Sequence, residues 1–241
     1  MSGEDGWTLL QHRSAVNNSL IGADPQLVAK LDGNKVKWAD IPGFNVQNQA
    51  LADWVGKGLT NSDALTATYE SGTAALGAGK AGAIINGSWA LAAITKTTPS
   101  ANLGFFLLPG ANGPGTLGLK RPNLLKVAKF SRHAAAAQDF LNFMIAQPQA
   151  QKFLDANPGV PAFTDVKPTN PTGATADLQK LVDKGGSVLP LDDASQIPQP
   201  QDDIIAAYQE LIGKRADAAK FAGMVQSAWQ SAGAKAGEPG F

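Results

Sequence analysis

The chain contains no cysteine, which excludes disulfides, thiolate metal sites and a cysteine nucleophile together. Its histidines are His12 and His133 alone. They lie far apart in sequence and leave little from which to build a histidine-rich metal site or a Ser/His/Asp triad, so each is read as an exposed or capping side chain. Charge of one sign is also missing: 20 Lys and Arg balance 20 Asp and Glu, without a basic run. Nothing then offers the phosphate-neutralising surface that nucleic acid requires. No apolar run approaches the ~20 residues that span a bilayer. The first six residues, Met1-Ser2-Gly3-Glu4-Asp5-Gly6, have neither the basic nor the apolar region of a signal peptide.

What is present is a chain of 241 residues, 44% of them hydrophobic, enough for a core in one large domain or two lobes. Apolar side chains recur at helical spacing over 7–21, 46–56, 132–146 and 216–232. Pro25 and Pro148 stand at helix starts, and Gly56-Lys57-Gly58 and Asn157-Pro158-Gly159 at helix ends. Shorter helices are expected at 25–31, 177–184 and 202–212. Segment 81–86 reads as a buried strand ending at Asn86, 102–108 as a strand stopped by Pro109-Gly110, and 117–127 as a weaker strand pair interrupted by Pro122. Gly79-Lys80 suggests a phosphate loop, but Ala74 stands where its first glycine belongs and Ala81 where its Ser/Thr belongs, so that reading fails. The expected class is α/β with a small sheet.

Five pieces occur in one order. A helix and Gly79-Lys80 lead to Gly87-Ser88-Trp89, followed by Leu108-Pro109-Gly110. Next come a helix over 131–145, then Gln151 with Gly159-Val160-Pro161, and finally a Pro/Gln-rich stretch before two helices joined at Gly213-Lys214. This order resembles the bacterial extracellular solute-binding proteins of family 1, the carbohydrate-binding subunits of ABC importers. The resemblance implies a periplasmic-binding-protein-like fold of type II, mainly its second lobe with a fragment of the first. On that reading, residues 1–117 and 164–241 form the second lobe, and 118–163 cross the hinge into a partial first lobe. It further implies a non-catalytic receptor with no cofactor and no metal. Its partners would be a mono- or oligosaccharide and an ABC permease in the membrane, with an extracellular, lipid-anchored or periplasmic location. The family's early βαβ units are expected to be absent from this chain, which raises self-association of a truncated or domain-swapped interaction module as the rival reading.

A sugar site needs flat apolar faces for pyranose C–H surfaces and planar polar groups for hydroxyls. Trp89 follows the expected strand at 81–86, and strand ends in α/β sheets open on the ligand crevice. It is the first candidate for a stacking platform. Trp7 resembles the family's other cleft aromatic. Asn86 and Ser88 flank Trp89, and Gln201 and Asp202 open a helix, where Asp202 could equally serve as a cap or first-turn acid. Tyr69 completes the candidate ligand-binding set. Trp38, Trp54 and Trp229 are read as packing. Glu70 and Asp202 could be imagined as the carboxylate pair of a glycosidase, but the sequence fixes no separation between them.

Overall fold

The computed structural model describes residues 1–120, 125–157, 159–169, 171 and 173–241. By backbone contacts the chain divides into two compact units, one made of Met1–Gly87, Leu107–Lys120 and Gly186–Phe241, the other of Ser88–Phe106 and Arg121–Gly185. These units differ from the expected lobes at 88–106 and 164–185, which group with the central segment. The reason is local: the Phe105 N–H donates to Asp177 Oδ2 at 3.3 Å, and Gly173 lies so close to the Leu103 carbonyl that a Cβ would come within 2.7 Å of it.

The first unit is built on helices. α1 (Leu9–Ala23) is buried on nearly every side, from Leu9 and Leu10 through His12, Arg13, Val16 and Asn17 to Leu20 and Ile21. A helix with so little exposed face must sit in the middle of others. Around it lie α2 (Leu27–Asp32), α3 (Pro42–Gly56) and α10 (Gln201–Ile212), and α11 (Ala218–Ala236) packs on α3 and α10. α3 begins with Pro42 in its first turn, where a missing N–H costs nothing. Asp217 caps α11 by accepting from the Lys220 N–H at 2.8 Å. α10 and α11 fold back on each other through Gly213 and Lys214. A Cβ at Gly213 would lie 2.8 Å from the Gln209 carbonyl, so only glycine fits. Their shared core holds Trp38, Phe44, Tyr208, Phe221 and Trp229. Trp38 meets Trp229 edge-on at 5.7 Å, and the Trp229 indole donates to the Leu31 carbonyl at 3.2 Å. Both tryptophans are packing residues, as their sequence positions indicated; Trp54 is half-buried against the same core.

The second unit carries α5 (Ala90–Thr97), α6 (Ala134–Ile145), α7 (Gln147–Ala156) and α8 (Gly173–Lys184). Its helices bury little. Ala150 and Leu154 of α7 pack with Val166, while α6 has no buried residue at all. Two helices remain to be placed, both in the first unit: α4 (Tyr69–Gly77) and the single turn α9 (Leu191–Ala194).

The expected strands require correction. Residues 81–86 form no strand, and Gly82 and Ala83 are exposed. A strand exists only through a partner, and three apolar residues between glycines recruit none here. Residues 102–108 likewise lack a ladder. Pairing among the described residues is limited to two isolated bridges, antiparallel between Gly110 and Gly113 and parallel between Gly118 and Val188. In the second, Leu119 donates to the Val188 carbonyl at 3.0 Å and Val188 to the Leu117 carbonyl at 2.9 Å. The proposed interruption at Pro122 and the helix end at Pro158 lie outside the described residues. α5, which begins directly after Trp89, was not foreseen.

Candidate functional site

Within the first unit, Trp7 sits in a 3-10 turn, Gly6–Thr8, that leads into α1. The turn is closed by the Thr8 N–H donating to the Asp5 carbonyl at 2.8 Å. Trp7 is 40% exposed, and its ring centre lies 5.1 Å from that of Tyr69 at a tilt of 51°. Two neighbouring aromatic faces, partly open to solvent, form a ready apolar surface. Tyr69 is the first residue of α4. Its phenol is held above the ordinary range, first by partial burial and then by the Glu70 carboxylate beside it. It therefore stays a neutral hydrogen-bonding group at physiological pH.

The N-terminal segment runs along α10 towards that helix's start. The Gln209 amide donates to the Gly3 carbonyl at 3.2 Å, and a Cβ on Gly6 would lie 2.5 Å from Ile205. Residues 201, 205 and 209 share one helical face. Gln201, one turn before Ile205, therefore lies on the face along which the Trp7 turn approaches. Asp202 is exposed like Gln201 and lies as near to the line of 205 and 209; with Asp203 it is also a first-turn acid, favourable at the positive end of the helix. Asn86 belongs to the same unit, but its carboxamide oxygen accepts the N–H of the adjoining Gly87 at 2.8 Å and so acts locally.

Ser88 and Trp89 belong to the second unit. Trp89 stands at the N-terminal cap position of α5 and is 45% exposed. The buried strand expected to precede it is absent. Ser88 is half-buried, and a Cβ on Gly159 would lie 3.8 Å from its hydroxyl. The Gly-Ser-Trp and Gly-Val-Pro pieces are thus neighbours in space, which their separation in sequence could not reveal.

His12 is neither exposed nor capping. It is 2% exposed, with Nδ1 3.3 Å from the Tyr208 hydroxyl. That hydroxyl donates to Asn48 Oδ1 at 3.3 Å. Burial pushes the imidazole down to about 4 and the phenol of Tyr208 well above its ordinary value. Arg13, also buried, pairs with Asp192 at 3.0 Å and bonds the Gln199 side chain. Both clusters tie α1 to its neighbours. The correction has a physical cause: α1 is so enclosed that even its polar positions face protein. His133 is the exposed N-cap residue of α6, as expected. A separate open groove of about 920 Å³ is lined by Ile21, Pro25, Val28, Val188, Leu189 and Pro239, among others, and by none of the candidate residues.

Asp5 was missed. Its carboxylate accepts the Tyr69 N–H at 2.6 Å, but the partner lies 64 positions away and no local pattern marks it.

Residues 2–183 match the family model described as bacterial extracellular solute-binding protein. A "Multiple sugar-binding protein" of Streptococcus mutans is 26% identical over 172 residues, which cover 65% of this chain and 38% of that protein. Among solved structures, a chitin oligosaccharide binding protein superposes with a TM-score of 0.76 at 20% identity, covering 97% of this chain and 60% of the other. RafE in complex with raffinose gives 0.71 at 18% identity, again covering 97% and 60%. This chain therefore spans about two fifths of its curated relative and three fifths of those structures. Its fold is that of the periplasmic-binding-protein class, here rich in helix. The chain belongs to the bacterial extracellular solute-binding proteins.

Proposed function

We propose that this chain is part of the carbohydrate receptor of an ABC importer, binding a mono- or oligosaccharide without catalysis and presenting it to a membrane permease. The Trp7–Tyr69 pair carries the reading. It offers two aromatic faces 5.1 Å apart, with Gln201 on the adjoining helical face as a planar polar group. Trp89, exposed at the start of α5, is a further candidate platform. The names of the relatives, which include a multiple sugar-binding protein and a raffinose complex, support an oligosaccharide. On this view residues 1–117 and 164–241 form the second lobe and 118–163 cross the hinge into a partial first lobe. Segments 88–106 and 164–185, which group with the central segment by contacts, mark where those bounds are to be tested. Closure of two lobes traps the sugar. An extracellular or periplasmic location goes with that role.

Calorimetric titration with raffinose and chitin oligosaccharides tests it. Trp7→Ala and Trp89→Ala should each weaken binding by roughly 10-fold or more, about 1.4 kcal/mol. Unchanged affinity in a folded variant would remove that tryptophan from the site. A second reading, an interaction module without its own ligand, is favoured by the exposed aromatic residues of α6 and α7, Phe140, Phe143 and Phe153.

A further inference from the structure

We propose that Asp5 is a positioning residue that holds the Trp7–Tyr69 pair in its binding geometry; the proposal rests on the sugar-binding reading above. Trp7 and Tyr69 are 62 positions apart, on separate elements, and ring contact alone is a weak constraint on their relative placement. Asp5 joins the two elements directly. Its carboxylate Oδ2 accepts the N–H of Tyr69 at 2.6 Å, and its carbonyl accepts the N–H of Thr8 at 2.8 Å. One residue thereby fastens the first residue of α4 with its side chain and the turn that carries Trp7 with its main chain.

The bond is well placed energetically. The Tyr69 N–H is one of the donors that a helix start leaves without an internal partner. α4 satisfies the Ser71 N–H through Thr68 Oγ1 at 3.2 Å and the Gly72 N–H through the Thr68 carbonyl at 3.0 Å. Tyr69 is left to Asp5. A carboxylate there forms a charge-assisted bond and meets the positive end of the helix. The neighbouring contacts fix the register of the strap. Gly3 donates to the Ala64 carbonyl at 2.8 Å and Glu4 to the Ala67 carbonyl at 3.2 Å. The Thr8 hydroxyl bonds the Ser2 carbonyl at 2.6 Å. These bonds place the strap beside 64–67, and Ser2 lies against α4 at Gly72, where a Cβ would come within 2.5 Å of its hydroxyl; the hydrogen bond to the first N–H of α4 comes from Asp5. Gly6, lacking a Cβ, lets the turn lie close against Ile205 of α10, where a Cβ would come within 2.5 Å.

The test compares Asp5→Ala with Asp5→Asn, which keeps an acceptor oxygen, in the full chain. Three readouts are followed: amide exchange at Tyr69, near-ultraviolet circular dichroism with Trp7→Phe as the reference for a lost pair, and raffinose titration. Asp5→Ala should accelerate Tyr69 exchange about 10-fold or more and shift the aromatic spectrum towards that of Trp7→Phe. Raffinose binding should weaken about 5- to 10-fold, while the amides of α11 keep their protection. Asp5→Asn should restore most of each signal. If Asp5→Ala leaves Tyr69 exchange and the aromatic spectrum unchanged, the proposal is overturned. So it is if Asp5→Asn behaves like Asp5→Ala. A wild-type chain that binds no oligosaccharide would count against the sugar reading alone, because exchange and spectrum still judge whether Asp5 holds the pair.

Discussion

His12 and Tyr208 illustrate what a single buried side chain does to the molecule. The Tyr208 hydroxyl donates to Asn48, so it accepts from His12 Nδ1–H and leaves Nε2 as an unprotonated nitrogen without a partner. Protonating Nε2 would place a cation in a dry core with no partner to stabilise it. Burial accordingly lowers the group from 6.5 to about 4. The sign follows: between those two values the unfolded chain binds a proton that the folded chain refuses, so stability falls as pH falls. The full loss is about 3 kcal/mol once pH is below both values. At the alkaline end the raised phenol of Tyr208 acts oppositely, since the unfolded tyrosine ionises first and stability falls as pH rises past its ordinary value. Urea unfolding of wild type and His12→Gln at a series of pH values checks the acid limb. His12→Gln should lose roughly 1 kcal/mol near neutrality through its altered hydrogen bond, and its stability should decline less between pH 6.5 and 4. Parallel curves would mean that carboxylates, common to both proteins, account for the whole acid response.

At the level of elements, the helices were legible because their apolar spacing is a local property that packing uses unchanged. α1, α3, α7, α10 and α11 lie close to their expected spans, with no end moved by more than four residues and Pro42 starting α3 earlier than the apolar stripe suggested. Strands were not legible. The apolar run before Asn86 has the composition of a strand, but pairing is decided by a partner elsewhere in the chain, and no residue within 81–86 specifies one. The candidate site divides in the same way. Trp7 and Tyr69 were named from residue type and position, whereas their contact, and Asp5 between them, arise from tertiary packing across more than sixty residues. The α6 stripe is a third case: its spacing identified a helix correctly, yet Phe140 and Phe143 remain 57% and 56% exposed. α6 has no fully buried residue, only the half-buried Ala137, Leu141 and Met144, so it relies mostly on its own hydrogen bonds, and twelve residues are marginal for that. Hydrogen exchange should therefore find the α6 amides opening at least 100-fold more readily than those of α11, whose Phe221, Val225 and Trp229 are buried. Equal protection would show that α6 is covered in solution.

For the molecule as a whole, the same stripe meets an unusual charge balance. The chain carries no net charge near pH 7, so two copies approach without the repulsion that keeps many proteins apart. Phe140, Phe143, Ile145 and Phe153 are all more than half exposed, and removing one such side chain from water contributes about 1.5 to 3 kcal/mol. Four of them amount to a sum comparable with the net stability of a domain. Reversible self-association through this face is the expected result, strongest near the isoelectric pH of about 6.7 and weaker well above it, where like charges accumulate. Sedimentation velocity over a concentration series checks this, with the mass of one chain, 24.9 kDa, as the lower limit. The double substitution Phe140→Lys with Phe143→Lys removes two apolar anchors and adds two like charges, so it should return the weight-average mass to that limit at pH 6.7. A wild-type chain that stays monodisperse at 24.9 kDa at every concentration would show that the stripe is not adhesive. Dimers that persist in the double variant would place the contact elsewhere, with the groove beside Ile21 and Val188 the next surface to substitute.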